Sequence, residues 1–305
     1  MEPCGSDRAI SNGPMHRERD ARTRFAVYRG AQLVAVVALL GAAEAFAAAS
    51  PGCETGPARD GGALTLSAGG FERRALVRVP QGYDGKTPRP VAIAFHGFGQ
   101  DLPNAAAMFA VESAWPDAIA VYPEGLERPY PGFPGERVAA FRGAVARGWQ
   151  VTATELGDRD LAFFDVLRDA VLQKYCVDPA GLYVLGFSNG AYFANLLGCL
   201  RPDAIRGIAA AAGGLRCEPA KPLAVILFHG TNDPIVRFEE SLDAARAWGR
   251  RDGCEAPAEA PALGCFPRKD CAKEGVVLCA DYGDHHYERP FTERAVEFFQ
   301  GRPRR

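Results

Sequence analysis

An α/β chain, with a mainly parallel central sheet and helices on both faces, is what the sequence predicts, on three observations. Short apolar and β-branched runs alternate with longer segments of helical periodicity. Several of those runs are almost wholly apolar, the pattern of parallel strands covered on both faces. The chain of 305 residues, 48% hydrophobic and 24% charged, is also large enough to bury one sizeable core.

After a polar lead-in, strands are expected at residues 75–79, 91–95, 118–122, 182–185, 208–212, 223–228 and 275–278. Residues 160–172 carry Leu161, Phe164, Leu167, Val171 and Leu172 at helical spacing, and residues 191–200 continue a strand into a second helix. A third helix is expected at 239–250. A last one, 291–299, follows Pro290 and places Ala295, Val296 and Phe299 on one side. No repeat or linker interrupts this series, so residues 50–305 read as one domain. The stretch 123–150, rich in Gly, Pro and aromatics, fits either a binding mouth or a plain surface excursion.

A formal net charge of -2, with Lys and Arg scattered rather than clustered, excludes an electrostatic case for nucleic acid. Residues 1–49 read as an N-terminal extension and signal peptide. Arg22, Arg24 and Arg29 precede an apolar run, residues 33–43, and then the small-residue stretch Ala45-Phe46-Ala47-Ala48-Ala49. Met15 is a second candidate start. An uncleaved anchor is the rival, but the run is short for a span and Glu44 interrupts it. The expectation is a secreted product, extracellular or periplasmic, with no stable membrane association after cleavage. Eight cysteines follow that segment (Cys53, Cys176, Cys199, Cys217, Cys254, Cys265, Cys271 and Cys279), an even number that suggests disulfides. Their connectivity is open, since eight cysteines allow about 105 pairings. A metal site is not expected, because no C-x-x-C spacing occurs and the one His pair is adjacent.

The sharpest motif is Gly186-Phe187-Ser188-Asn189-Gly190, a G-x-S-x-G between a predicted strand and a predicted helix. That context is a nucleophile elbow, and with it the α/β-hydrolase fold: the turn is so tight that side chains at the glycines would collide with their neighbours. A serine hydroxyl needs a base to take its proton and a carboxylate to hold that base in the right tautomer. In this fold the acid and then the His follow the Ser. Asp233, in His229-Gly230-Thr231-Asn232-Asp233-Pro234 just after a strand, has the placement of the acid, although a turn-forming Asp before Pro would read the same way. Asp281 and Asp284 lie too close to the C-terminal histidines. His285 and His286, between the last strand and the last helix, share the place of the base, and the residues themselves leave the pair open. The segment Phe95-His96-Gly97-Phe98-Gly99-Gln100 has the form of an oxyanion loop, with the backbone N–H groups of Phe98 and Asn189 as donors.

Together with Gly148-Trp149-Gln150, Gly157-Asp158-Arg159-Asp160 and Tyr175-Cys176-Val177-Asp178-Pro179, these segments make the chain resemble the secreted feruloyl esterases and polyhydroxybutyrate depolymerase-like esterases over most of residues 50–305. The resemblance implies a catalytic domain that hydrolyses esters through an acyl-enzyme, with no cofactor. Its pattern of His two residues before an aromatic matches His285 and Tyr287, with Asp284 where Gly is frequent, and so favours His285 as base. The expected triad is Ser188, Asp233 and His285. Depolymerases of that polymer usually carry an extra binding domain, and residue 305 follows soon after the last helix, so feruloyl or acetyl esters on plant polysaccharide (xylan) are the expected substrates. Tyr130, Phe133 and Trp149 are candidates to stack on a phenolic group or a sugar. A depolymerase, a peptidase or thioesterase on the same fold, and a non-catalytic exported binding protein remain as alternatives.

Overall fold

The computed structural model describes residues 49–56, 58, 60–133, 141–254, 263–267, 271 and 274–301. Of the segment expected to carry the targeting signal, residues 1–49, all but Ala49 lie outside them. The strands are β1 (Gly62–Ala68), β2 (Phe71–Arg78), β3 (Arg89–Phe95), β4 (Ile119–Pro123), β5 (Leu126–Pro129), β6 (Val145–Gly148), β7 (Val177–Phe187), β8 (Gly207–Ala211), β9 (Ala224–Gly230), β10 (Gly264–Pro267) and β11 (Val276–Asp281). The helices are α1 (Leu102–Phe109), α2 (Val111–Ala114), α3 (Arg159–Lys174), α4 (Asn189–Leu200), α5 (Phe238–Asp252) and α6 (Arg289–Gln300).

Nine strands form one sheet in the order β1-β2-β4-β3-β7-β8-β9-β11-β10, while β5 and β6 pair as a separate hairpin. From β4 to β11 every neighbouring pair is parallel; β1, β2 and β10 join antiparallel at the two edges. Successive side chains of a strand point to opposite faces, and the central strands are apolar on both. Along β3, Val91, Ile93 and Phe95 enter one core while Ala92 and Ala94 enter the other. The first core is closed by α3, α4 and α5, and the second by α1, α2 and α6. Helix α6 shows why its sequence sits there: Phe291, Ala295 and Phe299, four residues apart, make one buried stripe.

Several elements depart from the sequence expectation. Strand β7 begins at Val177 rather than near 182, because Val177 pairs with Arg89 across an irregularity that the turn-like Pro179-Ala180-Gly181 conceals. The polar lead-in contains β1, a one-sided edge strand in which Leu64 and Ala68 are the buried residues, too few for a strong apolar signal. Helix α1 also went unpredicted, although its capping box is legible: Asp101 accepts from the Asn104 N–H, and the Asn104 side chain accepts from the Asp101 N–H.

Four disulfides pair Cys53 with Cys176, Cys199 with Cys217, Cys254 with Cys271 and Cys265 with Cys279. The last joins directly opposed residues of β10 and β11. Such a set belongs to an oxidising compartment. Among the described residues no helix is long and apolar enough to cross a membrane. The one grouping with metal-ligand potential there, Asp252, Cys254 and Cys271, has both its sulfurs in a disulfide.

Candidate active site

Strand β7 ends at Phe187 and α4 begins at Asn189, so Ser188 alone makes the turn, with φ 53° and ψ -118°. A β-carbon on Gly186 would lie 2.2 Å from the Gly190 carbonyl oxygen, and one on Gly190 would lie 2.1 Å from that of Phe95. Both glycines are therefore steric requirements of the crossing between β7, α4 and β3. The Ser188 N–H is anchored on the Ala211 carbonyl at 2.8 Å, which ties the turn to β8.

Asp233 follows β9, and its Oδ1 accepts from the N–H groups of Ile235 and Val236 at 2.8 and 2.9 Å. His285 follows β11, beside β9 in the sheet. Gly230 lets the two loops meet, since a β-carbon there would lie 2.5 Å from the Asp284 carbonyl oxygen. His285 Nδ1 stands 2.7 Å from Asp233 Oδ2, and His285 Nε2 stands 2.8 Å from Ser188 Oγ. A carboxylate only accepts, so Nδ1 carries the proton, and the lone pair of Nε2 faces the serine hydroxyl. Burial by itself would raise the Asp233 carboxyl, but hydrogen bonds from His229, His285 and the Val236 N–H hold it well below the usual carboxylate range. His286 points elsewhere: its Nδ1 is 2.9 Å from the Asp284 carbonyl oxygen and its Nε2 is 3.5 Å from Asp281.

The loop after β3 runs beside the turn, where a β-carbon on Gly97 would lie 3.4 Å from that of Ser188. Gln100 braces this loop by accepting from the Gly97 N–H at 2.7 Å, and the Gly99 N–H donates to the Arg147 carbonyl at 2.8 Å. His96 is buried, and burial lowers its pKa against the opposing pull of the Gly97 carbonyl. Its neutral ring keeps a proton on Nδ1 for Gly97 O at 2.8 Å and accepts from the Gly125 N–H at Nε2, at 2.9 Å. Asn189 is the first residue of α4, so its N–H has no acceptor within the helix. The Phe98 and Asn189 N–H groups thus belong to the two segments that flank Ser188.

Ser188 and His285 open into a pocket of about 170 Å³ whose apolar walls are Phe98, Tyr130, Phe133, Phe141, Phe187 and Ile235. Phe98 packs edge-on against Tyr130, with ring centroids 5.2 Å apart. Trp149, expected at the same wall, is a correction: it is fully buried, stacked on Phe193 at 5.4 Å and edge-on to Phe95 at 5.1 Å. Its indole N–H donates to the His96 carbonyl at 3.0 Å, and its backbone is clasped by the Asn189 side chain at 2.7 and 2.9 Å. An aromatic whose N–H finds a partner inside is free to join the core. Phe141 and Ile235, by contrast, reach the pocket without any local signal beyond an apolar residue in a loop.

No protein-family model matches the chain. By sequence it is 26% identical over 264 residues to the probable feruloyl esterase C of Aspergillus niger, across 81% of this chain and 88% of that one. It is 27% identical to the feruloyl esterase D of Neurospora crassa, across 86% and 94%. By sequence the chain is similar to the feruloyl esterases across most of its length. Solved structures agree on the α/β-hydrolase fold. An acetyl xylan esterase from Aspergillus awamori superposes with a TM-score of 0.57 at 13% identity, over 79% of this chain and 99% of that one. A ferulic acid esterase from Anaeromyces mucronatus superposes with a TM-score of 0.53 at 18% identity, over 79% and 89%. In this chain the parallel strands β3, β7, β9 and β11 each deliver one site segment from the C-terminal end, the position at which open α/β sheets bind ligands.

Proposed function

We propose that the protein is a secreted serine esterase that cleaves feruloyl or acetyl esters carried by plant polysaccharide. The observation that carries this reading is the continuous relay Ser188 Oγ, His285 Nε2, His285 Nδ1 and Asp233 Oδ2, with links of 2.8 and 2.7 Å. His285 takes the serine proton as Oγ attacks the ester carbonyl, and the N–H groups of Phe98 and Asn189 receive the oxyanion. The imidazolium then returns the proton to the departing alcohol, leaving an acyl group on Ser188. Water, activated by the same His285, releases the acid. No step calls for a metal or an organic cofactor.

The aromatic walls Phe98, Tyr130, Phe133 and Phe141 beside Ser188 suit a flat phenolic acyl group. The names of the relatives support the same substrate class. Secretion is supported by the four disulfides and by the signal-like residues 22–49. The test is hydrolysis of methyl ferulate, acetylated xylan, polyhydroxybutyrate film and p-nitrophenyl acetate by the protein and by Ser188→Ala. Ferulate or xylan ester cleavage that vanishes in the variant is the expected result. Clearing of the polymer alone would replace this reading with that of a depolymerase, and equal inertness of both proteins would end it.

A further inference from the structure

The triad does not use every histidine beside Asp233. His229, the penultimate residue of β9, is 1% exposed, and its Nε2 lies 3.3 Å from the same Asp233 Oδ2 that meets His285. Its hydrogen bonds settle where its protons are. Nε2 stands 2.9 Å from the Val236 carbonyl oxygen, which can only accept, so Nε2 carries a proton. Nδ1 stands 2.6 Å from Ser241 Oγ. That hydroxyl is itself 2.7 Å from the Gly213 carbonyl oxygen, another pure acceptor, and its single proton is committed there. Ser241 therefore has only a lone pair to offer His229, and Nδ1 must donate as well.

We infer that His229 is a buried imidazolium, protonated on both ring nitrogens and paired with Asp233, and that it acts as a positioning residue which tunes the base through the acid. The inference rests on reading Asp233 as the acid of the triad. Each partner comes from a different element: Val236 and Asp233 from the loop after β9, Ser241 from α5, and Gly213 from the turn after β8. Phe238 covers the ring edge-on, with centroids 5.9 Å apart. The other charged cluster on this side lies one residue along, where Glu240 is held by the Tyr192 hydroxyl at 3.2 Å and by Arg216 at 3.0 Å. Asp233 and His285 remain as the titratable groups in line with His229.

The consequence is electrostatic. A fixed cation on Asp233 opposes protonation of His285, because a second positive charge on the same carboxylate is repelled. The hydrogen bonds to His229 also hold Asp233 Oδ2 in place while His285 changes protonation state.

The test uses the full chain labelled with 15N-histidine at pH 7.5. One imidazole, assigned by its response to Ser241→Ala, is expected to show both ring nitrogens protonated and two slowly exchanging ring N–H signals. A ring with one unprotonated nitrogen at that site would overturn the inference. In the second arm, kcat/KM for p-nitrophenyl acetate is followed against pH in the parent and in His229→Gln, whose amide can donate to Val236 without charge. The midpoint of the acidic limb is expected to rise by about one pH unit, and an unmoved midpoint in a folded variant would equally overturn it. If His229→Gln does not fold, the spectrum of the unaltered protein still decides. Failure of the esterase reading is seen separately, as absence of phosphonate labelling at Ser188, which leaves the spectrum untouched.

Discussion

Replacing Asp233 by Asn removes one charge and no volume, and the surrounding hydrogen bonds dictate how the amide must sit. The N–H groups of Ile235 and Val236, 2.8 and 2.9 Å from Oδ1, require an oxygen there, so the amide NH2 takes the place of Oδ2. It then faces His285 Nδ1 at 2.7 Å and His229 Nε2 at 3.3 Å, donor against donor on both sides. His285 escapes the clash only by moving its proton to Nε2, which turns the atom facing Ser188 Oγ from a base into a donor. The expected loss in kcat is about ten-thousand-fold, or roughly 5 kcal/mol of transition-state stabilisation. Steady-state hydrolysis of p-nitrophenyl acetate measures it, with circular dichroism confirming the fold and phosphonate labelling reporting the reactivity of Ser188. A folded Asp233→Asn protein that kept more than about a tenth of the parental kcat would refute the reasoning, because the tautomer would then not limit the reaction.

The two adjacent histidines separate cleanly: His285→Ala is expected to lose activity by at least about a thousandfold, whereas His286→Ala, whose ring faces Asp281 and Glu288, stays within about threefold. Equal losses in the two variants would reassign the base. Arg73 and Asp160 form an ion pair at 2.9 Å with both side chains fully buried, so Arg73→Met strands a carboxylate and should cost about 3–5 kcal/mol. Thermal melting would then fall by roughly 6–20 °C, and the double variant Arg73→Met/Asp160→Leu should recover much of it. Burial holds His96 below the ordinary histidine range, so the unfolded chain takes up that proton first and stability, complete above about pH 6.5, declines as the pH falls through that value. Urea midpoints between pH 7.5 and 5 should fall less steeply in His96→Asn than in the parent, and identical slopes would refute this.

By itself the sequence determined the local chemistry. Gly186, Ser188 and Gly190 announce the elbow because its constraint is steric and spans five residues, and the strands that end just before them put Ser188, Asp233 and the pair His285 and His286 in order, the choice within the pair coming from the resemblance alone. Apolar runs announced the central strands, since a strand covered on both faces has no polar side to hide its signal. Only the tertiary structure decided which aromatics line the pocket beside Ser188. Trp149 and Tyr130 look alike in a Gly-rich and Pro-rich loop, yet Trp149 is drawn under the elbow by the Asn189 side chain and the His96 carbonyl, while Tyr130 is left at the pocket. The charge on His229 was equally illegible, because it depends on a hydroxyl from α5 whose proton is spoken for by a carbonyl after β8. Periodicity carries short-range steric rules, whereas the state of a proton and the exposure of a ring are set by partners far apart in the chain.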